Sequence, residues 1–191
     1  MLDNVVLKSL FLGVFTFFLF TFINSSIIVN KLKEERKFIE VDGITVSYKE
    51  AGKEHIKNGA IIFLHGFSGS ANDWDFLIQE TSKFYYCVAI DIPPFGLSEK
   101  SPKTNYSDQN TLNLLANVIK LLTNKLSIEK FVLVGHSMGG YFSIKLVTQI
   151  GEKIEKIILI DAAYNISNIS NRDSLQFSLS HSEVNNLSVL L

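Results

Sequence analysis

The hydrophobic pattern along residues 38–164 divides this part of the chain into alternating strands and helices. Short runs of consecutive apolar residues are typical of strands that are covered on both faces. Longer segments between them have apolar positions three or four residues apart, which indicates amphipathic helices packed on a sheet. The strands are predicted at 60–64, 85–90, 131–134 and 157–160, and the helices at 72–83, 107–126 and 138–150. This alternation predicts an α/β fold, with a mostly parallel sheet and helices on both faces.

A hairpin precedes these elements, and a proline-rich loop interrupts them. Residues 38–41 and 44–48 are short alternating stretches on either side of Asp42-Gly43, a dipeptide typical of tight hairpin turns. The segment 91–105 contains all three prolines of the chain, so we expect no regular structure there.

The N-terminal region has a different pattern. Residues 9–30 carry no charged side chain, and residues 10–23 are apolar on every face of a helix. A helix packed on a soluble core would show a polar stripe instead. As a helix, the uncharged segment would extend about 33 Å, which matches a bilayer core of ~30 Å. We therefore predict a single-pass membrane protein with an N-terminal anchor, the alternative being export and cleavage of a signal segment that starts at Lys8.

These patterns predict four segments along the chain. Residues 1–31 form the transmembrane anchor or signal segment, and residues 32–37 form a charged juncture. Residues 38–164 form the α/β core. Residues 165–191 are rich in Asn and Ser and lose the strand–helix alternation, so they are predicted as a partial lid or a disordered tail.

Composition narrows the possible partners. The formal net charge is -1, so the basic surface that binds nucleic acid is not expected. Apolar residues make up 47% of the chain, which is ample for a packed core. The single cysteine, Cys87, cannot form an intramolecular disulfide, and its position inside an apolar run predicts a buried side chain.

The segment that carries chemistry lies where a predicted strand ends and a helix begins. It reads Gly135-His136-Ser137-Met138-Gly139, the Gly-x-Ser-x-Gly pattern of a nucleophile elbow. A sharp strand-to-helix turn exposes the serine hydroxyl above the sheet, and the glycines let the two backbones approach closely. The Met138 N–H, at the start of the helix, is then positioned to hold an oxyanion.

A second glycine-bearing segment follows the strand at 60–64. It reads His65-Gly66-Phe67-Ser68-Gly69. A loop at the carboxyl end of a neighbouring strand can bring another backbone N–H to the same oxyanion. We assign this role to the N–H of Phe67.

Five signals follow one another along residues 58–164. They are the loop at 65–69 followed by Trp74, Asp91 with the segment 93–98, the Tyr106-Ser107 helix start, the elbow, and the segment 158–163. In this order they resemble the α/β-hydrolase superfamily in its single-domain form. The resemblance covers roughly half of the chain and implies that about six of the eight strands of that fold are present.

The resemblance implies a serine hydrolase that acts on a small ester, thioester or amide through an acyl-enzyme, with Ser137 as the nucleophile. It implies a small-molecule acyl substrate and no cofactor or metal. A serine rather than an aspartate at the elbow disfavours the dehalogenases and epoxide hydrolases of the superfamily. The residues expected to support the oxyanion loop and the elbow are His65, Gly66, Gly69, Gly135 and Gly139.

Two positions in the matched region bear on the neighbouring loop. Asp91 resembles an aspartate that fixes a loop at a strand end rather than a catalytic acid. Pro94 stands where the superfamily usually has glycine, so the loop after Asp91 is expected to follow a different path beside the pocket.

Few residues follow Ser137 before the sequence ends at Leu191. In the superfamily the triad acid and histidine come later, on two further strand–helix units of ~30 residues each. We therefore expect a truncated form, with a triad of Ser137, Asp161 and His181 as an alternative. The rival to an active enzyme is a catalytically silent, membrane-tethered binding module that keeps the fold without turnover.

Overall fold

The computed structural model describes residues 13–25 and 35–162. The chain divides into two units with the boundary after Arg36. In the first unit, residues 13–25 are helical, and most of their large apolar side chains are exposed.

The predicted membrane helix is not found in the described part of the chain. No helix there has both the length and the apolar character needed to cross a bilayer. The rest of the predicted segment, residues 1–12 and 26–31, lies outside the described residues, as do residues 32–34 of the predicted charged juncture.

The second unit contains six strands: β1 (Lys37–Val41), β2 (Ile44–Ala51), β3 (Ala60–Leu64), β4 (Tyr86–Ile90), β5 (Phe131–His136) and β6 (Ile154–Ile160). They form one sheet in the order β1-β2-β4-β3-β5-β6. Strands β1 and β2 form the predicted hairpin, in which Val41 pairs with Ile44 across a turn with left-handed backbone at Asp42 and Gly43. Strand β2 pairs antiparallel with β4, whereas β4, β3, β5 and β6 run parallel.

The described residues of this unit include three α-helices: α1 (Asp75–Thr81), α2 (Asp108–Lys125) and α3 (Met138–Ile150). Short 3₁₀ helices cover Lys53–Asn58, Ala71–Trp74 and Gly151–Lys153. The predicted helix at 72–83 is therefore divided. Its first turn is a 3₁₀ helix closed by a capping box, in which the side chains of Ser70 and Asp73 bind each other's backbone N–H groups.

Helices cover both faces of the sheet, as predicted. On one face, apolar side chains of α2 and α3 pack on the sheet with Leu64, Ile90 and Leu133. On the other face, Trp74 and Ile78 pack with Phe63, Val134 and the fully buried Cys87. Leu77 of the same helix is 37% exposed.

A partly buried polar cluster lies at the amino end of the parallel strands. The Tyr86 hydroxyl donates to Glu50 Oε2 at 2.6 Å, and Lys37 Nζ also contacts the Glu50 carboxylate. Burial raises the pKa of Tyr86, and the bond to Glu50 raises it further. Burial also acts to raise the pKa of Glu50, but hydrogen bonds from Lys37 and Tyr86 outweigh it and hold the pKa below its ordinary value. Glu50 is therefore held as a carboxylate.

We expect Tyr86→Phe to lower the free energy of unfolding by about 2 kcal/mol at neutral pH, because it removes a hydrogen bond to a charged acceptor. Since the pKa of Glu50 is lower in the folded state than in the unfolded state, its stabilisation is complete above about pH 4.3 and is lost as the pH falls through the folded-state value. Urea unfolding near pH 7 and pH 3 should therefore show a smaller difference from wild type in acid.

The matched control is Tyr85→Phe. Within the described residues the Tyr85 hydroxyl has no hydrogen bond and its side chain is 43% exposed. We expect this variant to stay within about 0.5 kcal/mol of wild type. An equal loss for Tyr86→Phe at both pH values would contradict the role assigned to the Glu50 charge.

Candidate active site

Ser137 lies on a tight bend between two elements. Strand β5 ends at His136 and helix α3 begins at Met138, so Ser137 is the single residue between them. Its backbone has φ 47 and ψ -112, a conformation that a residue with a side chain seldom adopts. Its N–H donates to Ile160 O at 3.0 Å, and its carbonyl accepts from Tyr141 N at 3.1 Å. The half-buried side chain therefore lies at the carboxyl edge of the sheet, in neither a packed interior nor an unbroken helix.

The two glycines of the elbow have no room for a side chain. A β-carbon at Gly135 would lie 2.4 Å from Ser143 Oγ and 2.6 Å from Gly139 O. A β-carbon at Gly139 would lie 2.1 Å from Leu64 O, a backbone atom at the end of β3. The first turn of α3 thus packs directly on the end of β3, which sets the position of Ser137.

We expect Gly139→Ala to lower the free energy of unfolding by about 3 kcal/mol, because a backbone carbonyl cannot move aside as a flexible side chain can. Gly13→Ala is the control, since Gly13 is helical and no atom of the described residues lies within 4 Å of its added β-carbon. Denaturant unfolding measures both. A Gly139→Ala protein as stable as wild type would contradict the close packing of α3 on β3.

The loop after β3 lies beside the elbow. Gly69 N donates to Gly66 O at 3.1 Å and closes a turn in which Ser68 has φ 57. A β-carbon at Gly66 would lie 3.4 Å from Ser137 Cβ and 2.7 Å from His136 Nδ1. The glycine at position 66 therefore permits the loop backbone to approach Ser137. Phe67 follows directly, with its ring 73% exposed and 5.1 Å from the ring of Phe95.

Both nitrogens of His65 are engaged in a fully buried position. Nε2 accepts a hydrogen bond from Ile92 N at 2.9 Å, and Nδ1 lies 2.7 Å from Gly66 O. Because an N–H only donates and a carbonyl only accepts, the hydrogen bonds require a neutral ring protonated at Nδ1. His65 thus ties the loop after β3 to the loop after β4, as expected for a structural residue rather than a general base.

Asp91 ties a second pair of loops together. Its buried carboxylate accepts from Ala71 N at 2.7 Å through Oδ1 and from Leu97 N at 2.9 Å through Oδ2. A β-carbon at Gly96 would lie 2.2 Å from Asp91 Cγ, so the proline-rich loop wraps closely around this side chain. These contacts agree with the loop-fixing role predicted for Asp91.

A cavity of about 350 Å³ opens beside the elbow. It is bounded by the loops after β3 and β4 and by the first turns of α2 and α3, and most of its lining is apolar. Its lining residues are Phe67, Ile92, Pro93, Pro94, Phe95, Tyr106, Asp108, Thr111, Met138 and Phe142. Sequence reasoning missed Phe95, Asp108 and Phe142, although Tyr106-Ser107 marked the start of the helix that carries Asp108. No local pattern indicates that the first turn of α2 faces a cavity.

Of the two residues that would complete the alternative triad with Ser137, only Asp161 lies in the described part of the chain. Asp161 follows β6 directly and has φ 46. Its strand lies beside β5, with Ile160 paired to His136, so Asp161 comes at the same edge of the sheet as Ser137. A β-carbon at Gly140 would lie 2.6 Å from Ala162 Cβ, a constraint that the sequence pattern did not reveal. His181 lies outside the described residues.

Comparison with known proteins agrees with this architecture. A family model for the alpha/beta hydrolase fold matches residues 59–182. The chain is 36% identical over 123 residues to the uncharacterised hydrolase YugF of Bacillus subtilis, a match that covers 63% of this chain and 42% of that protein. It is 32% identical over 109 residues to a putative esterase/lipase of Haemophilus influenzae, covering 57% and 36% of the two chains. The chain thus spans less than half the length of these relatives.

Solved structures show the same arrangement of elements. The crystal structure of a membrane phospholipase A, described as a bacterial virulence factor, superposes with a TM-score of 0.61 at 27% identity and covers 83% of this chain and 50% of that one. A meta-cleavage product hydrolase from Pseudomonas fluorescens gives a TM-score of 0.56 at 27% identity, over 66% of this chain and 44% of that one.

Proposed function

Because the chain belongs to the α/β-hydrolase fold family, we propose that it acts as a serine hydrolase that cleaves a small ester, thioester or amide through an acyl-enzyme. The observation that carries this proposal is the backbone of Ser137, held at φ 47 between β5 and α3 with the Gly66 loop beside it. A family member with a strained serine at this position has the geometry that nucleophilic attack requires.

The proposed reaction begins with attack of Ser137 Oγ on the substrate carbonyl carbon, while the hydroxyl proton passes to a general base, the role of His181 in the triad of Ser137, Asp161 and His181. The carbonyl oxygen becomes an oxyanion in the tetrahedral intermediate. Collapse expels the alcohol, thiol or amine, which takes up the proton, and leaves the acyl group on Ser137. Water then attacks the acyl-enzyme and releases the carboxylic acid.

Two backbone amides are proposed to hold the oxyanion. Met138 is the first residue of α3, so its N–H has no carbonyl acceptor within the helix, and the positive end of the helix dipole lies there. Phe67 follows Gly66, whose backbone approaches Ser137. Such amides are already oriented before reaction, so they stabilise developing charge without reorganisation.

The relatives support the substrate class. One relative is described as a putative esterase/lipase and one structural neighbour as a phospholipase, both of which act on carboxylic esters. The mostly apolar cavity beside the elbow is of a size for a small acyl or alcohol group. A small-molecule ester is therefore the substrate class that we propose to test first.

A fluorophosphonate probe tests the nucleophile, because it reacts covalently with an activated serine. We expect the wild-type chain to be labelled and Ser137→Ala to lose the label. Hydrolysis of a neutral ester should fall by about 10³-fold or more in the same variant. Ser82→Ala is the control, since Ser82 follows α1 and lies outside the cavity lining. This variant should keep both the fluorophosphonate label and the hydrolysis of the ester.

Two results would contradict the proposal. Labelling that persists in Ser137→Ala would place the reactive serine elsewhere. A folded wild-type protein that takes no label would favour the catalytically silent binding module instead. Circular dichroism of each variant separates loss of reactivity from loss of the fold.

A further inference from the structure

One residue with a charged side chain lines the mostly apolar cavity beside the elbow. Among the described residues that line it, Asp108 alone carries a charge; the others are apolar apart from Tyr106 and Thr111. Asp108 lies in the first turn of α2, where a carboxylate is favoured by the positive end of the helix dipole. An ionised group on the wall of a cavity that would receive part of a substrate calls for a functional explanation.

A hydrogen bond between helices holds this carboxylate in place. The Tyr141 hydroxyl of α3 donates to Asp108 Oδ2 at 2.7 Å. Tyr141 is four residues after Ser137 and its N–H bonds to the Ser137 carbonyl, so the position of Asp108 is linked to that of the elbow. Lys145 Nζ lies 4.5 Å from the centre of the Tyr141 ring, but Lys145 is not part of the cavity lining.

The location of the cavity indicates which part of a substrate it would hold. Met138 and Phe67, whose N–H groups are the proposed oxyanion donors, both line it, and Asp108 and the proline-rich loop line it as well. An acyl group bound to Ser137 would have its carbonyl at the start of α3 and its chain among apolar side chains. The end of that chain would then approach Asp108.

We propose that Asp108 is a specificity-determining residue that selects against acyl groups carrying a negative charge at their far end, a role that rests on the proposed hydrolase function. Neutral acyl chains bury apolar surface in the cavity without an electrostatic penalty. A terminal carboxylate is repelled by Asp108 and loses hydration on entry. A terminal ammonium group is attracted by the same charge.

Matched methyl esters test this selection. Methyl hexanoate and monomethyl adipate differ only in whether the far end of the acyl chain is a methyl group or a carboxylate. Asp108→Asn keeps an oxygen to accept from Tyr141 but removes the charge. We expect the ratio of kcat/KM for methyl hexanoate to that for monomethyl adipate to fall about fivefold in this variant, because Asp108 is exposed and its field is screened.

Two controls separate charge from other effects. Glu80→Gln removes the same charge from α1, outside the cavity lining, and should leave the ratio as in wild type. Tyr141→Phe keeps the Asp108 charge but removes its hydrogen bond, so most of the selection should persist. A ratio that falls equally in Glu80→Gln, or that does not fall in Asp108→Asn, would overturn the proposal.

Binding measurements test the same selection without turnover. Dissociation constants of the two esters, measured by NMR titration of Ser137→Ala and of Ser137→Ala with Asp108→Asn, should show the same fivefold change in their ratio. If wild type hydrolyses neither ester but this change is seen, the hydrolase proposal fails and the role of Asp108 in ligand selection stands. An unchanged ratio of dissociation constants overturns the role of Asp108 whether or not the chain hydrolyses esters.

Discussion

The structure of the site depends on the contact between the first turn of α3 and the end of β3. Gly139 lies so close to Leu64 O that no other residue fits, and this contact brings the positive end of the helix to the edge of the sheet. Ser137 is then forced into a left-handed backbone, because one residue must turn the chain from strand to helix. At this point the close approach of sheet, helix and serine is thus set by the packing of backbone atoms.

Two buried side chains extend this arrangement to the surrounding loops. His65 joins the loop after β3 to Ile92, and Asp91 joins Ala71 to Leu97. Each of these residues bonds backbone groups in two separate segments, so the loops around Ser137 keep fixed positions although they contain no regular hydrogen-bonding pattern. Loops tied in this way suit the proposed oxyanion hole, because amides that are oriented in advance stabilise developing charge without reorganisation.

Sequence reasoning predicted the parts of the structure that depend on local pattern. The helix at 138–150, the Asp42-Gly43 hairpin and the parallel core follow from hydrophobic periodicity and turn residues, and the structure confirms them. The placement of Ser137 at a strand–helix bend was predicted because glycines two residues before and after it let the strand and helix backbones approach closely. The 3₁₀ turn at Ala71–Trp74 was missed because a capping box can begin either a 3₁₀ turn or an α-helix, and the sequence does not distinguish the two. Asp108 was missed because facing a cavity is a property of tertiary packing, which no single segment records.

The two helices that begin at the cavity differ in the charge of their first turns. Both α2 and α3 present their amino ends to it, and each of those ends attracts negative charge. At α2 this attraction is offset by the Asp108 carboxylate, whereas the first turn of α3 contains no acidic residue. Of these two helix ends, the start of α3 beside Ser137 is therefore where a negatively charged oxygen is favoured. This difference agrees with the proposed orientation of a substrate, with its carbonyl at the start of α3 and its acyl chain toward Asp108.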